Sequence, residues 1–156
     1  MKLSLLLIAA AFLPVLPAIA KEDVPRGFLP LTELKEASAK ATKEKKMVVL
    51  VVKGRDDACP YCAAALNNGL GAVGSGVVKV FARAEKIREA DSSGFPEPLQ
   101  ARIKQGFTTG AAVTLLVFDA EMNRIVAEAG RRELEDDRKA IAAFKKTISE
   151  ARKATR

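Results

Sequence analysis

The sequence predicts an α/β fold: a mixed central sheet of about four strands, covered by helices on both faces. Three features point there. Met47-Val48-Val49-Leu50-Val51-Val52 is an unbroken apolar run rich in β-branched residues, the pattern of a strand with no solvent-facing side. A helical segment and a second strand, Val77 to Arg83, follow it. Strand, helix, strand implies parallel pairing through a right-handed crossover. Later, Ala112 to Phe118 and Arg124 to Ala129 are separated by Asp119-Ala120-Glu121-Met122-Asn123, and a connection that short implies an antiparallel hairpin. At 156 residues, one such domain is the natural reading.

Taken in order, the chain begins with an export signal. Lys2 supplies a basic start and Leu5 to Leu13 an apolar core, and Pro14 and Pro17 precede Ala18-Ile19-Ala20, an A-x-A cleavage site. Residues 1–20 therefore read as a cleaved signal peptide. Two prolines interrupt the apolar run, which falls short of the ~20 residues that span a bilayer, and no cysteine follows it to carry a lipid. The mature chain is expected to start at Lys21, to act in a periplasm or after secretion, and to keep no stable membrane anchor. Residues 21–31, with their prolines and glycine, read as an extended arm before a domain over 32–156.

Within that domain Thr32 is placed to cap a helix from Glu33 to about Lys45, with Leu34, Ala37 and Ala41 as its apolar stripe. Its end, Lys43-Glu44-Lys45-Lys46, is cationic, as the negative pole of a helix favours. After the first central strand, Gly54-Arg55-Asp56-Asp57 is a polar loop, and Ala63-Ala64-Ala65-Leu66 carries a helix. That helix is predicted to close near Asn67-Asn68-Gly69, residues that tolerate a left-handed C-cap. Gly71, Gly74 and Gly76 lack the Gly-Lys-Ser/Thr of a phosphate cradle and read as a flexible connection to the second strand. Residues 89–98 read as a loop, and Pro98 opens a short helix, Leu99 to Gln105, stopped by Gly106. A last helix, about Leu134 to Lys153, has Glu133, Glu135, Asp136 and Asp137 at its positive end, and Ile141, Phe144, Ile148 and Ala151 form its core stripe.

Composition removes several functions. There is no His, so the commonest general base and metal ligand is missing. The net charge is +7, but basic residues alternate with acids, as in Lys35-Glu36 and Arg131-Arg132-Glu133. That is a solvated surface, and no nucleic-acid partner is expected. The two cysteines, Cys59 and Cys62, fall short of the four ligands of a structural zinc, so neither metal nor cofactor is expected in a single chain.

The chemistry resides in Cys59-Pro60-Tyr61-Cys62, set between a strand and a helix. With Cys59 at the helix N-cap, Pro60 takes the first helical position, where its missing N–H is no loss. Free backbone N–H groups at that end stabilise a thiolate. Cys59 is then the attacking sulfur and Cys62 the resolving one. A purely structural disulfide remains the plainer reading. It closes so small a loop that it stabilises less than the ~3 kcal/mol of a 15-residue loop.

This element order, with Cys-x-x-Cys opening the helix after the first central strand, resembles the thioredoxin-like family, in its exported bacterial form, from about Leu31 to Ala151. The resemblance implies a three-layer sandwich, thiol–disulfide exchange with protein substrates, a redox partner protein, and a monomer. Gly110-Ala111-Ala112-Val113-Thr114-Leu115-Leu116-Val117-Phe118 is similar to the family's strand opening, with Thr114 just after the position of its cis-proline. Ala112, Val113 and Thr114 are thereby the implied substrate-binding residues. Pro60-Tyr61 resembles glutaredoxins, although no glutathione-binding Gly-Gly follows. The sequence departs from the family at two places. Val113 stands at the cis-proline position, and a cis bond before a non-proline residue costs ~2.5–4 kcal/mol, so a trans bond is expected. Lys53 stands where thioredoxins carry a buried acid; it either helps hold a thiolate or points to solvent. The reading is an exported thioredoxin-like thiol–disulfide oxidoreductase. The alternative is a non-catalytic binding module with a static Cys59–Cys62 disulfide.

Overall fold

The central strand is β2 (Met47–Lys53), and six of its seven residues are buried. It pairs in parallel with β3 (Val77–Arg83) and antiparallel with β4 (Val113–Phe118). On the outside, β5 (Ile125–Gly130) runs antiparallel to β4, and β1 (Leu29–Pro30) runs parallel to β3. The sheet order is β1-β3-β2-β4-β5. The computed structural model describes residues 24–55, 58–107 and 112–154; the predicted signal peptide and the first residues of the arm lie outside them.

Alternation along β2 explains its continuous apolar run. Val48, Leu50 and Val52 join one buried cluster with Leu34, Ala37 and Ala41 of α1 (Leu34–Glu44), Ile87 of α3 (Ala84–Glu89) and Leu99 of α4 (Glu97–Lys104). Met47, Val49 and Val51 join the other cluster, with Cys62, Ala65 and Val73 of α2 (Pro60–Val73), Leu134 of α5 (Arg131–Glu135), and Phe144 and Ile148 of α6 (Arg138–Ala154). Successive strand residues point to opposite faces, so a strand covered on both sides must be apolar throughout. The α/β sandwich with a mixed sheet is as predicted.

Several local expectations are corrected. The sheet has five strands rather than about four, because Leu29–Pro30 of the presumed arm pairs at the edge of β3. Proline is tolerated on an edge, where its missing N–H breaks no ladder. Thr32 does not cap α1; it lies in a 3₁₀ turn, Leu31–Glu33, that leads into the helix. Lys45 closes α1 in the left-handed conformation (φ 52°), donating its N–H to Ala41 and Thr42. The single C-terminal helix is two. Asp137 Oδ1 accepts from the N–H groups of Lys139 and Ala140, both at 2.9 Å, and such a side-chain acceptor starts a new helix. The hairpin turn is held by Asp119, whose Oδ1 accepts from Asn123 N at 2.7 Å.

The largest difference is in α2. It does not close at Asn67-Asn68-Gly69 but runs to Val73, with Gly74 (φ 74°) as its C-cap. Gly69 is instead a point of close approach. A Cβ there would lie 2.7 Å from Leu115 Cδ2 and 2.9 Å from Leu134 Cδ1. Asn68 donates to the carbonyls of Leu134 and Glu135 at 2.8 and 3.0 Å, satisfying the end of α5. Asparagine and glycine serve here as packing and bridging residues, not as a stop.

Candidate functional site

Cys59 is the N-cap of α2, in an extended conformation (φ −71°, ψ 107°), with Pro60 first in the helix. The sequence predicts this placement. Its Sγ accepts a hydrogen bond from Cys62 N at 3.2 Å, one of the donors left over at a helix start. The cysteines approach to 2.5 Å, within reach of a disulfide. Their surroundings differ: Cys59 is half-buried, whereas Cys62 is 1% exposed and packs into the core. Ala58, Pro60 and Tyr61 around Cys59 are exposed. Tyr61, 58% exposed, is the large hydrophobic side chain that the described surface presents most openly.

The other residues singled out from the sequence lie at the same end of the sheet. Lys53 ends β2, half-buried, with Arg83 and Val113 as its neighbours on either side in the ladder. Val113 shares a buried cluster with Cys62, and Cys59 packs against that cluster. Val113 and the pair thus lie on one face of the sheet. Val113 is fully buried and Thr114 is 7% exposed, so neither side chain meets an incoming molecule. Ala112 is half-buried, and its carbonyl accepts from Gly54 N at 2.8 Å. This bond carries the β2–β4 pairing one step past Val113. No cis peptide bond occurs among the described residues, so the Ala112–Val113 bond is trans. Gly110 and Ala111, also named from the sequence, lie outside the described residues.

Two residues the sequence reading passed over help shape this end. Arg83 Nη1 donates to the Gly54 carbonyl at 3.1 Å, and its guanidinium lies 5.6 Å from the centre of the Phe81 ring. Gly54 is thus held from both sides, by Arg83 and by Ala112. Arg83 reads in the sequence only as the end of a strand, and its role emerges from the parallel register that sets it beside Lys53. Arg55 pairs with Glu85 at 3.8 Å, so this end gathers Lys53, Arg55 and Arg83.

Among the described residues, no group of three His, Cys, Asp or Glu side chains is arranged to hold a metal ion. None of the described helices is long and apolar enough to cross a membrane. Compared with protein-family models, curated proteins and solved structures, the chain finds no significant match in any of the three.

Proposed function

We propose that this protein is an exported thiol–disulfide oxidoreductase of the thioredoxin-like kind, acting on protein disulfides or thiols. The observation that supports it most is the asymmetry of the pair. Cys59 is reachable at a helix start with an N–H aimed at its sulfur, and Cys62 is shielded behind it. The thiolate is the form that acts as nucleophile. The Cys59 thiolate attacks one sulfur of a substrate disulfide. The Cys59–substrate S–S bond forms as the substrate S–S bond breaks, and the departing substrate thiolate takes up a proton. Cys62, as thiolate, then attacks Cys59 Sγ. The Cys59–Cys62 disulfide forms, and the second substrate sulfur leaves as a thiol. A redox partner protein restores the starting state by the reverse exchange. Burial of Cys62 keeps it from the substrate and reserves it for this intramolecular step.

The second reading is a binding module with a static disulfide. It is favoured by the strand end opposite the pair, where Ala112 has its carbonyl bonded to Gly54 and Val113 and Thr114 are buried. Insulin reduction in the presence of dithiothreitol separates the two readings. Catalysis by the wild type, its loss in Cys59→Ser, and accumulation of a mixed disulfide in Cys62→Ser are expected for the enzyme. Iodoacetamide should modify reduced Cys59 well before Cys62. A wild type no faster than dithiothreitol alone, with a pair that resists glutathione, supports the static module and overturns the enzyme.

A further inference from the structure

At the opposite end of the sheet from the cysteines lies a cavity of about 620 Å³, between the ends of α1 and α6, the start of β2 and the β4–β5 turn. Its volume falls in the range that holds small organic ligands. Arg152 of α6 lines it. The Nη2 of Arg152 donates to the Val73 carbonyl at 2.6 Å, which ties α6 to the end of α2. Its Nε is buried and has no hydrogen-bond acceptor among the described residues. A buried guanidinium N–H without an acceptor is costly, and such a group in a native structure needs an explanation. Gly76 lies against the guanidinium: a Cβ there would stand 3.5 Å from Cζ and Nη2. The connection after α2 thus packs beside the arginine.

The other charges in the cavity sharpen the preference. Both acids that line it are occupied. Glu44 pairs with Lys46 at 2.6 Å, and Asp119 accepts from the hairpin amides and lies 3.6 Å from Arg124 Nε. Lys45, whose backbone is left-handed, has no side-chain partner among the described residues. The charges left to act on a ligand are therefore cationic. Met47 and Ala120 supply apolar wall. We propose that this cavity binds a small organic oxyanion, its carboxylate or phosphate group seated on the Arg152 guanidinium and facing Lys45. The guanidinium edge is the side chain best shaped for either group.

Isothermal titration calorimetry of the full chain at fixed ionic strength tests this, with citrate, inorganic phosphate and neutral glycerol as probes. Citrate or phosphate should bind with one-to-one stoichiometry, glycerol should not, and the stronger anion assigns the headgroup. Arg152→Gln should weaken that binding by about tenfold or more, the factor that 1.4 kcal/mol represents. Lys45→Ala, which leaves the Val73 contact intact, should weaken it several-fold. Absence of binding by either anion overturns the proposal, as does undiminished binding by folded Arg152→Gln. If Arg152→Gln does not fold by circular dichroism, Lys45→Ala decides, and unchanged affinity there overturns it.

Discussion

Two glycines two residues apart in α2 should respond to the same substitution with opposite sign. Gly71 is exposed and a Cβ there meets nothing within 4 Å. Gly71→Ala should therefore collect the full helix-propensity difference, a stabilisation of about 0.8–1 kcal/mol. Gly69 gains the same propensity on becoming alanine. Its new methyl, however, would sit 2.7 Å from Leu115 and 2.9 Å from Leu134, side chains that are both fully buried. Neither leucine can withdraw into solvent, so one must leave its rotamer or the helix must lift from β4. Overpacking of this kind costs about 1–3 kcal/mol, which exceeds the propensity gain and leaves a net loss of about 1 kcal/mol. The two variants should thus differ by about 2 kcal/mol. Urea denaturation reads this directly. With a slope of roughly 2 kcal/mol per molar, the midpoint should rise by roughly 0.5 M for Gly71→Ala and fall by a similar amount for Gly69→Ala. If Gly69→Ala raises the midpoint as Gly71→Ala does, the close seating of α2 on β4 and α5 is refuted.

A second stability test concerns Arg102, which holds α4 to β5. Its Nε and Nη2 donate to Glu128 at 2.7–3.0 Å, with side-chain exposures of 17% and 33%, and its guanidinium lies 4.8 Å from the Phe107 ring centre. Arg102→Ala should cost about 1–2 kcal/mol in urea, more at low salt than at high, since a forked, half-shielded pair is stronger than an open one. An unchanged midpoint would show the fork to be idle. At Asp91 the hydrogen bonds from Ser93 N and then Ser93 Oγ hold the carboxyl below its ordinary range. Because the folded-state value is the depressed one, this stabilisation is present above the pKa of the unfolded chain and is lost as pH falls through the folded value. An NMR titration of Asp91 should place its midpoint below that of the unfolded chain. Ser93→Ala should raise it part of the way back, because the stronger backbone bond survives; no movement would discount the side-chain bond.

Much of the fold and the position of the cysteine pair could be read from local pattern. The continuous run at Met47–Val52, the hairpin around Asp119 and the core stripe of Ile141, Phe144 and Ile148 each express a short-range periodicity, and each stands in the structure. Cys59 at a helix start follows from strand, loop and Pro60 alone. The misreadings share a cause. Asn67-Asn68-Gly69 resembles a helix stop because those residues favour a C-cap locally, but in the fold Gly69 is required by Leu115 and Leu134, residues far along the chain. Leu29–Pro30 is too short to show an alternation, and only the neighbouring β3 makes it a strand.

The two ends of the sheet mark the boundary. Residue order was enough to set Cys59 and Cys62 three apart at a helix start, because backbone propensity and strand period act over a few residues. It could not show that Ala112 bonds Gly54, that Arg83 reaches the same glycine, or that Arg152 meets Val73 and a cavity beside Lys45. Those relations depend on strand order and helix packing, which bring together groups separated by about 30 to 80 positions, and no local pattern encodes a contact of that separation.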